Sequence, residues 1–420
     1  MTTITVLGAI VALIIAIILI IKGIPPVYGM LLGALAGGII GGAGLGDTIS
    51  YMITGASGMT SAILRIISAG VLAGVLMESG AAATIAENIV KKFGDNKALI
   101  SLTVATFVLT GIGVFGDVAI LTVAPIGIQV AKRANLTKFT TAFAMIGGVK
   151  AGNLISPNPN TIAAAEPFNV PLTNLMIAGY IPGLIGVVAT CIIARKIKER
   201  GELFGELDVT ELTQEKPGLF VSIIGPLTTI GLLILRPTLG IVIDPLIALP
   251  VGGLVGCLAM KKTKNFKQYI VTGLNKMSGV VLLLLGTGTL AGIISNSNLT
   301  DIIISLVENV GLPGYLLAPI AGITMGAATA SATAGASVGG NMFGNAILSM
   351  GVKPLQASQM IYTGTLWFDS LPHGSFFHVS AGSVSMEIKE RLKILPYELL
   401  IGIIMTIASV LAYGVIGINF

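Results

Sequence analysis

Long apolar stretches recur along this chain, and the polar breaks between them follow a fixed order. Residues 4–21, 25–43, 62–78 and 172–194 are apolar runs, as are 219–236, 242–260, 277–295 and 395–418. About 20 such residues let a helix cross ~30 Å of hydrocarbon. Other segments differ in kind. Residues 83–93 and 300–310 read as short amphipathic helices. Residues 98–131 and 314–349 are Gly-rich and apolar with polar centres, long enough to enter a membrane and return. Residues 138–168 and 355–386 are spans interrupted by Ser156-Pro157-Asn158-Pro159-Asn160 and by Ser370-Leu371-Pro372-His373-Gly374-Ser375.

Each half of the chain therefore carries the same succession: two spans, a third, an amphipathic stretch, a re-entrant segment, a broken span and an intact one. Local echoes about 218 residues apart support a repeat. Pro26-Val27-Tyr28-Gly29 is answered by Pro245-Leu246-Ile247-Ala248, Leu72-Ala73-Gly74 by Leu290-Ala291-Gly292, and Gly94 by Gly311. The pattern predicts an all-α polytopic membrane protein of two repeats, residues 1–194 and 218–420, joined by a hydrophilic linker at 195–217. Within the repeats, 4–78 and 219–295 are scaffold spans; 98–168 and 314–386 carry the hairpins and broken helices. About five crossings per repeat is an odd number, so the second repeat is expected to be inverted, as in many secondary transporters.

Charge gives an independent test, because lysine and arginine concentrate in cytoplasmic loops. With both termini outside, the cytoplasmic segments hold Lys22; Lys91, Lys92 and Lys97; Lys132, Arg133 and Lys138; Arg195, Lys196, Lys198, Arg200 and Lys216; Lys261, Lys262, Lys264 and Lys267; and Lys389, Arg391 and Lys393. That is 19 of the 24 basic residues. The outside loops at 44–60 and 296–313 carry none, and only Lys353 lies clearly outside. Composition agrees: 54% hydrophobic, 10% charged, 55 glycines and a mean hydropathy of +0.94. Soluble domains are nearer 25% charged, and small residues let membrane helices pack closely. The net charge of +5 is then a topology signal, and no nucleic-acid partner is expected. The first run has no basic residue before it and no small-residue cleavage site, so it reads as an uncleaved span. Cys191 and Cys257 lie in apolar runs and read as packed, reduced thiols.

Candidate chemistry gathers at four interruptions: residues 111–117 and 156–161 in the first half, 329–335 and 369–375 in the second. Broken backbone at membrane depth survives only if buried or lining a cavity, and pseudo-symmetry brings the four together. Helix N-termini exposed by a break attract carboxylates, and freed carbonyls can hold a cation. The candidate substrate-binding residues are Ser156, Asn158, Asn160, Thr161, Ser331, Thr333, Ser370, His373, Ser375 and Lys150. Asp117, His373 and Asp369 are candidates for proton coupling, because an intramembrane carboxylate is costly unless paired or functional and histidine titrates near neutral pH. Bland readings stand beside these. Ser and Thr in apolar helices usually bond the carbonyl one turn back. The prolines 157 and 159 could simply kink a span. Lys150 could attract a substrate carboxylate, pair with Asp117 or snorkel to an interface. Glu78, Glu166 and His378 read as interfacial.

No His-Glu-x-x-His, Gly-x-Ser-x-Gly or P-loop pattern occurs, and there are only two histidines. An enzyme is therefore not expected, nor any cofactor beyond a coupling ion, proton or sodium. A channel is the remaining class; buried Asp117, Lys150 and His373 favour coupled transport.

The same segments resemble the gluconate:proton symporter (GntP) family of the ion transporter superfamily. Leu76-Met77-Glu78-Ser79-Gly80-Ala81-Ala82, continuing to Ile85-Ala86, is similar to its L-x-E-S-G-[AG]-A-x-x-I-A stretch. Gly113-Val114-Phe115-Gly116-Asp117-Val118 is similar to its G-L-P-L-F-F-E segment, with Asp117 near the acidic residue. Pro157-Asn158-Pro159-Asn160-Thr161 resembles P-P-H-P-G-P, and Ala330-Ser331-Ala332-Thr333-Ala334 resembles G-S-A-T-V-A. The resemblance implies an elevator-type carrier, dimeric through its scaffold, in a bacterial plasma membrane, importing gluconate or a related hydroxy-carboxylate with protons. It also marks departures: Asn158 and Asn160 stand where the family has His and Gly, and Lys150 is unusual. A sodium-coupled di- or tricarboxylate carrier on the same architecture is the alternative.

Overall fold

The computed structural model describes residues 3–94, 97–205 and 216–420, and the rest of the linker lies outside them. The first half is built from α1 (Val6–Ile21), α2 (Pro26–Ile40), α3 (Leu45–Ser57), α4 (Thr60–Glu78), α5 (Ala81–Phe93), α6 (Ala98–Gly111), α7 (Gly116–Arg133), α8 (Lys138–Asn153), α9 (Pro159–Ala165) and α10 (Leu172–Lys196). The second is built from α11 (Leu219–Leu239), α12 (Pro245–Ala259), α13 (Phe266–Ser295), α14 (Leu299–Val310), α15 (Leu317–Thr329), α16 (Ala332–Ser349), α17 (Pro354–Thr365), α18 (Ser375–Gly382), α19 (Ile388–Leu392) and α20 (Leu395–Ser409). Five of the described helical stretches are long and apolar enough to cross a membrane, and five more are shorter apolar helices.

Helix starts follow from local chemistry. Proline occupies the first turn of α2, α9, α12 and α17, where its missing N–H costs nothing. Side chains of Thr5, Thr137, Asn158, Asp244 and Ser331 accept from backbone N–H groups at the starts of α1, α8, α9, α12 and α16. The caps also register the two halves. Phe115 and Ser331, Thr137 and Lys353, and Asn158 and Gly374 are matching N-caps, each pair 216 residues apart, the separation also of Lys150 and its hydrogen-bond partner Leu366. One offset thus carries through hairpin and broken helix alike. By it Asp117 matches Thr333, and Asn153 matches Asp369.

Two regions depart from the expected spans. The outside loop at 44–60 is helical as α3, and the span placed at 277–295 begins eleven residues earlier, at Phe266. Both follow from one packing. α13 runs antiparallel along α3 and α4 together, and glycines let the backbones touch. A Cβ on Gly55 would lie 2.1 Å from the Gly288 carbonyl oxygen, and one on Gly74 would lie 2.1 Å from that of Tyr269. Gly273 and Gly292 are equally closed, by Gly70 and Tyr51. Such small-residue seams are how membrane helices approach closely.

The helices sort into two packed groups. α1, α2, α3, α4, α11, α12 and α13 pack mainly on one another; α6 to α10 and α15 to α20 form the other group. Within the second group α8 and α17 are buried on all sides from Phe139 to Asn153 and from Leu355 to Thr365. A helix buried all round belongs at the centre of its bundle. The broken helices are therefore the core on which the hairpins α6–α7 and α15–α16 rest. Linker residues up to 205 are docked there too: Thr137 donates to the Arg200 carbonyl, and the Lys138 amide donates to that of Glu202 at 2.8 Å.

Candidate functional site

Four chain interruptions converge. The first hairpin turns at Gly113, whose φ of +106° suits glycine. The second turns at Ala330, in the left-handed region at φ +47° and ψ +38°, a conformation that costs a non-glycine residue roughly 1 kcal/mol. α8 stops at Asn153 and resumes as α9; α17 stops at Thr365 and resumes as α18. Gly374, at the N-cap of α18, lies against the Ala330 turn. A Cβ there would be 2.4 Å from the Ala330 carbonyl oxygen. Gly374→Ala should therefore push tip and break apart, with an overpacking cost of about 1–3 kcal/mol. Transport by the purified, reconstituted variant should fall with little loss of folded yield; wild-type transport would show that the contact does not matter.

Between these interruptions and the other helix group lies a cavity of about 380 Å³, at the small end of ligand pockets. One wall is Pro26 of α2 with Lys276, Gly279, Val280 and Leu283 of α13. The other is made by Phe115 to Asp117, Val149, Lys150, Asn153 and Asn160, then Thr329 to Thr333, Asp369 and His373 to Phe376. Of the expected site residues, Asp117, Lys150, Asn160, Ser331, Thr333, Asp369, His373 and Ser375 line it. Ser156, Asn158, Thr161 and Ser370 do not.

Those four sit one layer back. Asn158 caps α9 and donates to Asn153 Oδ1 at 2.7 Å. The Thr161 hydroxyl donates to the Asn153 carbonyl at 3.0 Å, and the Ser370 hydroxyl to Asp369 Oδ1 at 3.0 Å. Ser156 Oγ is buried and has no hydrogen-bond partner among the described residues. The 329–333 cluster divides its roles. Thr329 bonds the Met325 carbonyl one turn back at 2.8 Å, Ser331 caps α16, and Thr333 donates to Asn160 Oδ1 in the other half of the chain.

Lys150 does not pair with Asp117. Its ammonium donates to Asp369 Oδ1 and, at 2.9 Å, to the Leu366 carbonyl, with Glu398 Oε2 at 3.6 Å. Arg391 closes the chain: it pairs with Glu398, donates to Ser380 Oγ at 2.9 Å and lies 4.8 Å over the Phe377 ring. Two cations and two anions are thus buried together. Arg391, counted in a cytoplasmic loop on sequence grounds, is fully buried. Asp117 faces Ser375 and Lys276 instead. Lys276 has no ion pair within 4 Å among the described residues and is exposed to the cavity. In the sequence it stands one residue before the apolar run at 277, where hydropathy does not mark it as part of a polar break.

A second cluster joins the two helix groups. Arg65 on α4 holds Glu166 at 2.5 Å and Asp244 at 2.8 Å, beside a cavity of about 150 Å³. Glu166 is therefore engaged in an ion pair rather than simply solvated. His373 and His378 are both exposed, and His378 Nε2 lies 2.7 Å from the Pro372 carbonyl oxygen. Cys191 and Cys257 are free thiols.

A helical bundle with apolar spans and a small polar cavity where broken helices meet has the build of a polytopic membrane transporter. A model described as GntP family permease matches residues 1–416, and the chain belongs to that family. It is 52% identical over 416 residues, 99% of each chain, to a protein of Haemophilus influenzae called an uncharacterized transporter. It is 23% identical over 354 residues, 77% of this chain and 78% of the other, to the gluconate permease of Pseudomonas aeruginosa. The crystal structure of the Alcanivorax borkumensis YdaH transporter, reported for its unusual topology, matches with a TM-score of 0.69 at 15% identity over 89% of each chain. That likeness concerns the fold alone. Family membership makes the chain a transporter and not an enzyme.

Proposed function

We propose that this protein imports gluconate or a related hydroxy-carboxylate by proton symport, carrying it in the cavity ringed by the four interruptions. The observation behind this reading is the charge balance of that cavity. Lys150 and Asp369 neutralise each other, which leaves Lys276 and Asp117 facing the void. Lys276 attracts the substrate carboxylate; Asn160, Ser331, Thr333 and Ser375 bond its hydroxyls. A bound monoanion adds one negative charge, and protonating Asp117 removes one. One proton per carboxylate keeps the loaded site neutral, which lowers the cost of moving it through a low-dielectric region.

The two groups of helices then act as scaffold and carriage. Scaffold is residues 4–78 and 219–295; carriage is the hairpins and broken helices, 98–168 and 314–386. Antiparallel packing of α3 and α4 on their counterpart α13 supports an inverted relation between the repeats, with both termini outside in a bacterial inner membrane. The scaffold serves a homodimer, and the carriage moves as an elevator.

The test is uptake of labelled gluconate into proteoliposomes, under an inward proton gradient and then an inward sodium gradient, with unlabelled organic acids as competitors. Proton-driven accumulation blocked by excess gluconate is expected. Sodium-driven uptake displaced by a di- or tricarboxylate would overturn this reading in favour of a sodium-coupled carrier.

A further inference from the structure

We propose that the ammonium group of Lys150 is a built-in cation, filling a site in the second helix break whose oxygens would otherwise hold a sodium ion. Three oxygens surround it. The Leu366 carbonyl, left without a helical partner where α17 ends, accepts from Nζ at 2.9 Å. Asp369 Oδ1 accepts a second bond. Glu398 Oε2, on a side chain that is 1% exposed, stands at 3.6 Å. Freed backbone carbonyls at half-helix C-terminal ends are what broken helices use to hold sodium, and carbonyl and carboxylate oxygens suit hard cations. Lys150 is only 1% exposed, so the charge it supplies is a fixed part of the protein.

The other break shows the contrast. There Asn153 matches Asp369, and its carbonyl is satisfied by hydroxyls: Thr161 at 3.0 Å and Tyr362 at 2.9 Å. That set is neutral and already closed, so it calls for no cation. Two carboxylates meet beside the second break, Asp369 of the break itself and Glu398 of α20, and Arg391 balances Glu398. A cation is needed for the other, and the first repeat delivers it on a side chain that reaches its own counterpart, Leu366. Because the ammonium is committed there, Lys276 remains the group for an anionic substrate. A tethered cation also cannot be released down a gradient, so this site does not couple sodium to transport.

The experiment needs no substrate, so its failure leaves the gluconate reading standing. Binding of ²²Na⁺ is measured on purified protein in detergent, for wild type, Lys150→Ala and Lys150→Ala/Asp369→Asn. Wild type is expected to show no saturable binding. Lys150→Ala should gain saturable binding that unlabelled NaCl displaces and choline chloride does not, and Asp369→Asn should remove it again. Saturable binding to wild type, or a folded Lys150→Ala that binds none, overturns the proposal. If Lys150→Ala folds in neither salt, Lys150→Met, which keeps most of the side chain's packing but vacates the ammonium position and carries no donor, takes over the test. NaCl must then raise its melting temperature over choline chloride by more than it does for wild type; equal shifts overturn the proposal.

Discussion

Arg391→Gln is expected to cost about 3–5 kcal/mol of stability. Arg391 is fully buried and is the close partner of Glu398, which is 1% exposed. Taking away one member of a buried pair leaves the other charged and uncompensated, and that penalty exceeds anything the pair gains by existing. The arginine also donates to Ser380 and covers the Phe377 ring, so packing is lost with the charge. The size of the effect should depend on balance and not on arginine itself. Arg391→Gln/Glu398→Gln removes one charge of each sign, leaves Lys150 paired with Asp369, and should recover most of the loss. Thermal unfolding of the purified proteins in one detergent measures both. If the single variant melts with wild type, the Glu398 carboxylate is solvated and the buried network is not a unit.

Asp117→Asn is expected to abolish proton-driven accumulation while leaving exchange of labelled for unlabelled substrate across the membrane. The amide is a permanent stand-in for the protonated acid. It removes the negative charge that faces Lys276 and keeps a group able to bond Ser375. The loaded cavity would be neutral without taking up a proton, so substrate could cross but the gradient could do no work on it. The measurement is a pair of assays on the same proteoliposomes: uptake against a concentration gradient under a pH jump, and counterflow without one. Full accumulation by the variant would move the coupling proton elsewhere, with His373 the next group to test. Loss of both assays would make Asp117 a binding residue.

Much of the architecture was legible because lipid punishes polar backbone. Pro157, Asn158, Pro159 and Asn160 inside an apolar span, and the Ser370 to Ser375 stretch, had to be breaks, and both are. Gly113 and the Ser331 region had to be hairpin tips for the same reason. What escaped depended on long-range pairing. Nothing near Lys150 in the chain announces a partner 219 residues away. Arg391 sits between Lys389 and Lys393 and looks like one more cytoplasmic charge, until Glu398 is seen beside it. In the sequence α3 reads as a loop, because Asp47, Thr48, Tyr51 and Thr54 interrupt its hydropathy. Those residues lie on a helix that earns its place through backbone contact, and hydropathy does not register that.

The glycine seam between α13 and the α3–α4 pair has a further consequence, for how such a chain can change. Where backbone meets backbone no side chain can be added, and no rotamer shift or neighbouring substitution makes room. Gly55, Gly70, Gly74, Gly273, Gly288 and Gly292 are therefore fixed together, each by its partner across the seam. The outward faces of the same helices, such as Leu64 and Leu282, are exposed and can drift among apolar residues. Mutational tolerance along these helices should rise and fall with the helical turn, and residues lining the cavity can change while the glycine seam stays unaltered.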